Sequence, residues 1–250
     1  MTVQITVTSP TPIIAICNHK GGSGKTTSAW HLAHALEAAT AGHLHRVLLV
    51  DLDDQATLTN RLAHQAITIG SPIETQPTIA DALDGAPTTV YPYTPLLSYI
   101  PADHRLAWVA AKMQASSPNH LFLARALRHV EPFDYVILDC PPSAGIIMIN
   151  ALAACTHTVI PVTPTEESWD GRQRMQNMID EIANVLNKQI TSLGAILTMR
   201  SPRSKTQDYY EALNAQAGLL GAVPHAVGLD ADQRIYAAYE PIAQRIAQSL

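Results

Sequence analysis

The ten residues Asn18-His19-Lys20-Gly21-Gly22-Ser23-Gly24-Lys25-Thr26-Thr27 constrain the fold more than any other stretch of the chain. They follow an apolar run, Ile13–Cys17, and lead into an Ala- and Leu-rich segment, Thr26–Ala41, that reads as a helix stopped by Gly42. Glycines between a buried strand and a helix let the backbone curl until several N–H groups face one point. The helix N-terminus adds a partial positive charge at the same place. Such a loop holds phosphate. Lys25 can reach the terminal phosphates of a nucleotide, and the Thr26 hydroxyl can bind Mg²⁺. The expected cofactors are therefore ATP and Mg²⁺. Gly21, Gly22, Ser23, Gly24, Lys25, Thr26 and Thr27 form the cradle.

Four further apolar runs read as buried parallel strands: Val47–Val50, Val136–Leu138, Thr158–Val162 and Leu193–Thr198. They lack the polar alternation of a sheet with one wet face. Helical stretches separate them. Glu166–Lys188 carries Met175, Met178, Ile179, Ile182, Val185 and Leu186 near helical spacing, read as a core-facing stripe. Ala231–Ser249 reads as the last helix. Strand alternating with helix implies an α/β fold, a doubly wound, mostly parallel sheet with helices on both faces. The whole of 1–250 is expected to form one domain, with 1–12 as an N-terminal extension. Residues 69–101 hold six prolines and read as a loop-rich excursion with one short helix near Ile79–Leu83.

Charged residues cluster at the expected strand ends. Asp51 follows Val47–Val50, Asp53 lies two residues on, and Asp139 follows Val136–Leu138. In open α/β sheets ligands bind beyond the carboxyl ends of the strands, so these groups can converge with Lys25. Carboxylates there suit Mg²⁺, and a further one can orient an attacking water. The net charge of −5 gives no global reason to expect nucleic-acid binding, which must come from a local patch. The three cysteines, Cys17, Cys140 and Cys155, have no CxxC spacing and read as small buried hydrophobes. The N-terminus lacks the pattern of a signal peptide and no apolar run is long enough to span a bilayer, so a cytoplasmic location is expected.

One detail departs from the general phosphate-loop pattern. His19 stands where that pattern has its first glycine, and Lys20 precedes the glycine pair. This resembles the deviant Walker A motif of the ParA/MinD superfamily, KGGxGK[ST]. The stretch VLLVDLDDQAT (Val47–Thr57) resembles the family pattern VLLIDLDPQ, with Asp54 in place of its proline. YVILDCPPS (Tyr135–Ser143) resembles the family's Walker B segment, and Ser98–Met113 its strand-Pro-helix stretch. With Thr158–Gly171 and Leu197–Ser204 the resemblance runs from Ile13 to about Pro241.

The resemblance implies that Lys20 reaches across an ATP-bound homodimer to the partner's nucleotide while Lys25 acts within its own subunit. It assigns Asp51 and Asp139, with Thr26, to Mg²⁺ and Asp53 to water activation. Pro224, within Val223-Pro224-His225, stands where the family's IPR motif lies near adenine. Arg203, with Arg200 and Lys205 beside it, matches a family position linked to DNA binding, while His225 and Gly228 stand where ParA proteins carry arginines. Short ParA proteins without a helix-turn-helix domain are the best match. They imply nonspecific DNA and a ParB-like centromere-binding or cargo adaptor protein as partners, and association with the nucleoid. Two alternatives stay open. One is a small-molecule P-loop enzyme of the same superfamily, a synthetase or metal-pump ATPase. The other is a MinD-like membrane-cycling switch, although Ile242–Leu250 carries one charge rather than a basic amphipathic face, so no membrane partner is expected.

Overall fold

The structure, a computed structural model, describes residues 11–38, 44–65, 76–115, 120–130, 132–200, 210–212, 214–215, 218–228 and 230–250. In chain order its first elements are β1 (Ile13–Ile16), α1 (Lys25–Glu37), β2 (Val47–Asp51), α2 (Thr57–Gln65), α3 (Ile79–Leu83), β3 (Tyr91–Pro92) and β4 (Leu97–Ile100). Then come α4 (Arg105–Ala115), α5 (Phe122–Leu127), β5 (Tyr135–Asp139), α6 (Ile146–Ala154) and β6 (His157–Val162). The chain ends with α7 (Glu166–Val185), β7 (Thr191–Arg200), β8 (Leu219–Pro224) and α8 (Ala231–Ser249).

The strands make one eight-stranded sheet in the order β3-β4-β2-β5-β1-β6-β7-β8. Every pairing is parallel except β3 with β4. The apolar runs are continuous because both faces are covered. Ile14 and Ile16 of β1, Val47 and Leu49 of β2 and Ile137 of β5 turn to one face, against Leu32 and Leu36 of α1 and Tyr239 and Ile242 of α8. Ala15, Cys17, Leu48, Val50, Val136 and Leu138 turn to the other, against Leu106 and Val109 of α4, Met148 and Leu152 of α6 and Met175 of α7. This is the period of two of a strand, with both faces buried. The three cysteines are buried and unbridged. Among the described residues no helix is long and apolar enough to cross a membrane.

Three expectations need correction. The proline-rich 69–101 stretch is more than a loop: besides α3 it supplies β3 and β4, and Leu97, Tyr99 and Ile100 are core. Its prolines mark strand limits rather than exclude strands. Pro92 sits in the two-residue edge strand, Pro95 in the turn, and Pro101 just past β4, where its carbonyl accepts from Ile79 N at 2.8 Å. In α7 the stripe is narrower than expected: Met175 and Ile179 are buried and Met178 and Ile182 partly so, but Val185, the last residue of the helix, is 72% exposed. β8 was not anticipated as a strand; its small residues Gly221 and Ala222 weaken the apolar signal. The expected stop at Gly42 lies outside the described residues.

Candidate functional site

β1 is central, and the chain leaves it to opposite sides of the sheet: its neighbours are β5 and β6. The crevice beyond its carboxyl end is the place where such sheets bind ligands. The glycine loop lies there. Gly22 and Gly24 have φ of 71° and 89°, and Gly24 is the residue from which α1 starts. A side chain at Gly24 would also meet Thr198 Cγ2 at 3.1 Å. Thr198, on β7, supports the loop from below: its hydroxyl donates to Ser23 O at 2.9 Å, with Val162 O also 3.1 Å away. Asn18 fixes the other side, with Nδ2 donating to Pro161 O at 2.6 Å and Oδ1 accepting from Lys20 N at 3.1 Å.

The two lysines of the loop point apart. Lys25 is buried and its Nζ donates to Lys20 O at 3.1 Å, so its ammonium lies along the inside of the loop. Burial lowers its pKa, opposed chiefly by the charge of Asp139. Lys20 turns outward to α7, donating to Thr165 Oγ1 at 3.2 Å and pairing with Glu167 Oε2 at 2.9 Å.

The acids meet as the strand ends required. Asp51 and Asp139 are register partners in β2 and β5, and both are buried. Asp51 is well held: Oδ1 accepts from Asp53 N at 3.1 Å, and Oδ2 from Thr59 N at 2.9 Å and Thr59 Oγ1 at 2.7 Å. Burial nevertheless raises its pKa to about 6. Asp139 differs. Neither of its oxygens completes a well-formed hydrogen bond within the protein. Burial and the neighbouring Asp51 push its pKa well up, while the Thr26 hydroxyl and Lys25 pull it back. Asp53 is half-exposed at the mouth, with Oδ1 accepting from Gln55 N at 3.1 Å; burial raises its pKa.

An orphaned buried carboxylate beside a hydroxyl and a second carboxylate fits a hard cation such as Mg²⁺. Among the described residues no three His, Cys, Asp or Glu could hold a metal alone. Mg²⁺ needs no such cage, since it takes one or two protein oxygens and completes its shell with phosphate and water.

Pro224 ends β8, and its neighbour's amide, His225 N, donates to Arg200 O at 2.9 Å. It therefore sits on the carboxyl edge of the sheet, three strands from β1. Arg200 ends β7 and stacks over the Tyr210 ring at 4.8 Å. Arg203 and Lys205 lie outside the described residues. Sequence reasoning missed Asn18, Thr59, Thr165, Glu167 and Thr198. Only Thr165 carried a local signal, a helix cap before two acids, since its hydroxyl accepts from Ser168 N.

An AAA domain family model matches residues 11–192. The chain is 35% identical over 194 residues to the sporulation initiation inhibitor protein Soj of Bacillus subtilis, covering 77% of this chain and 74% of Soj. It is 31% identical over 207 residues to the chromosome partitioning protein ParA of Caulobacter vibrioides, covering 80% and 74%. Among solved structures, a plasmid partition protein from Borrelia burgdorferi superposes with a TM-score of 0.82 at 22% identity, over 97% of this chain and all of that one. Cobyrinic acid a,c-diamide synthase from Mycobacterium smegmatis, with bound ATP analog and magnesium, gives 0.80 at 26% identity over 95% of each.

Proposed function

Because the chain belongs to the ParA/MinD superfamily of P-loop ATPases, among its ParA-type partition members, we propose that it is a switch that dimerises on ATP, binds DNA without sequence preference and is reset by a partner-stimulated hydrolysis. The observation that carries this reading is the divergence of the two loop lysines. Lys25 lines the inside of its own loop, whereas Lys20 projects outward, where a second subunit can present its nucleotide. Within its own protomer Lys20 reaches only Thr165 and Glu167 on the outer side of the loop, away from the cradle that Lys25 lines.

In this reading the loop amides from Gly21 to Thr27 and the Lys25 ammonium hold the phosphates. Thr26, Asp51 and Asp139 would hold Mg²⁺. When bound, Mg²⁺ neutralises charge on the transferred phosphate. Asp53, at the open mouth, orients the attacking water by accepting its hydrogen bond. Pro224 borders the adenine. The DNA surface is the end of β7, with Arg200 and the following Arg203 and Lys205, doubled in a dimer. A ParB-like or cargo adaptor protein stimulates hydrolysis, and the protein works in the cytoplasm on the nucleoid.

The deciding experiment is filter binding to random DNA at two salt concentrations with ATP, ADP or no nucleotide. If six cations of a dimer engage, the slope of log affinity against log salt is near about −5. Binding that ATP does not enhance overturns the reading. The likeness to the diamide synthase favours a second one, a small-molecule synthetase. That enzyme would turn over an acceptor without DNA, whereas a partition ATPase stays slow until DNA and partner are present.

A further inference from the structure

Away from the phosphate loop, α1 and α8 border an open cleft of about 610 Å³ whose lining includes Trp30, His31, His34, Glu37, Asp232 and Tyr236. His31, His34 and Glu37 lie two to three turns along α1 from Lys25, about 9 to 18 Å at the helical rise. The cleft is thus separate from the site that binds phosphate.

Its walls are aromatic, and its polar groups mix donors, such as the Gln233 amide, with the carboxylate acceptors of Glu37 and Asp232. His34 meets the Trp30 ring edge-on at 4.4 Å, and His31 stacks on Tyr239 at 5.5 Å. His31 is 2% exposed, yet neither ring nitrogen makes a hydrogen bond; its Nε2 stops 3.4 Å from Asp232 Oδ1. His34 Nε2 is also buried without a partner. Burial keeps both rings neutral at pH 7, so each offers a lone pair. Glu37 Oε2 lies 3.5 Å from His34 Nδ1 at the other end. One cation already shares the cleft mouth: Arg61 of α2 pairs with Asp232 and lies 4.8 Å over the Trp30 ring. Two carboxylates against one guanidinium leave net negative charge between aromatic faces, the combination that holds organic cations. A buried ring with both nitrogens unused is costly unless something meets it.

We propose that this cleft is a binding site for a small organic polycation, a linear di- or triamine whose ammonium groups lie between Glu37 and Asp232 against the Trp30 and Tyr236 rings. An ammonium has three donors and no acceptor, matching the two carboxylates at the ends of the cleft. The volume exceeds what a short aliphatic diamine fills, which leaves room for water or for a longer chain. The chain's own Arg61 competes for Asp232.

The test is calorimetry on the full chain without nucleotide, at constant ionic strength. Probes are putrescine, spermidine, neutral 1,4-butanediol and Nα-acetyl-lysine amide. Trp30 emission is followed in a Trp108→Phe, Trp169→Phe background. Saturable one-to-one binding of putrescine or spermidine is expected, with none of the diol. Asp232→Asn or Glu37→Gln weakens it by about tenfold or more, and Arg61→Ala strengthens it. Asp232 is exposed, so its variant keeps the fold, which thermal unfolding checks. Binding of the lysine amide as tight as that of spermidine overturns the free polyamine in favour of a protein side chain. No saturable signal, or binding unchanged in both carboxylate variants, overturns the site. ATP binding is measured alongside, and its loss or retention bears on the phosphate loop alone.

Discussion

Lys20 Nζ lies 2.9 Å from Glu167 Oε2, so the outward lysine of the phosphate loop is held, within one protomer, by the first turn of α7. The bond must be exchanged before Lys20 can serve a partner's nucleotide. Glu167→Gln should therefore lower the ATP concentration at which dimers form. The shift should stay within about fivefold, because an exposed ion pair is weak. Lys20→Ala should bind ATP yet remain monomeric. Light scattering with ATP and Mg²⁺ reads both, and a dimer formed by Lys20→Ala would remove the trans role.

Asp53 stands at the mouth of the site with one oxygen committed to Gln55 N. Asp53→Ala should bind ATP normally and hydrolyse it at least about a hundredfold more slowly, the usual scale for losing a group that positions or accepts a proton. It should accumulate as the ATP-bound dimer. Phosphate release measured beside nucleotide binding checks this, and near-normal turnover would falsify the assignment.

Gly24 and Gly21 offer a matched pair. An alanine at Gly24 is strained at φ 89° and pressed on Thr198, whereas nothing lies within 4 Å of a Cβ at Gly21. Gly24→Ala should lose about 1–2 kcal/mol of stability or more and most nucleotide binding. Gly21→Ala should be milder on both counts. Denaturant melts with and without ATP separate them.

His31 sets a pH dependence. Burial lowers its pKa from 6.5 to about 4, against the pull of Asp232 and with help from Arg61 and His34. Between those values the unfolded chain binds a proton that the folded chain refuses. Stability therefore falls as pH drops from 6.5 towards 4, by up to about 3 kcal/mol from this group. His31→Phe keeps the stacking on Tyr239 and should flatten that slope. Urea unfolding at pH 5 and pH 7.5 is the measurement; an unchanged difference between the two would rule His31 out as its source.

The central strands and the residues at their ends were legible because each is a local pattern: an apolar run, then a glycine, lysine or aspartate. Asp51, Asp53, Asp139 and Lys25 follow from that alone. β4 was legible only through the family resemblance of Ser98–Met113, because prolines lie around it, and β8 was obscured by its small residues. The supports of the site were not legible at all. Thr198 reaches Ser23 across 175 residues, Glu167 reaches Lys20 across 147, and Thr59 holds Asp51 from a separate helix. Nothing in a local window distinguishes these from any other threonine or glutamate. His31 and His34, three apart on α1, carry no local sign of the cleft that α8 borders beside them.

The placement of β1 between β5 and β6 has a consequence for the order in which the molecule can be made. Ile13 pairs with Val136 and Ile14 with His157, so β1 waits for its neighbours until well over a hundred further residues have been made. The glycine loop at its end waits longer, because Thr198 must arrive to support Ser23. Contacts of such separation form late and slowly. A nascent chain that has not yet reached Thr198 therefore carries the complete glycine motif without the architecture that gives the motif its shape. A shaped phosphate cradle is thus available only once β7 is in place to set Thr198 against Ser23.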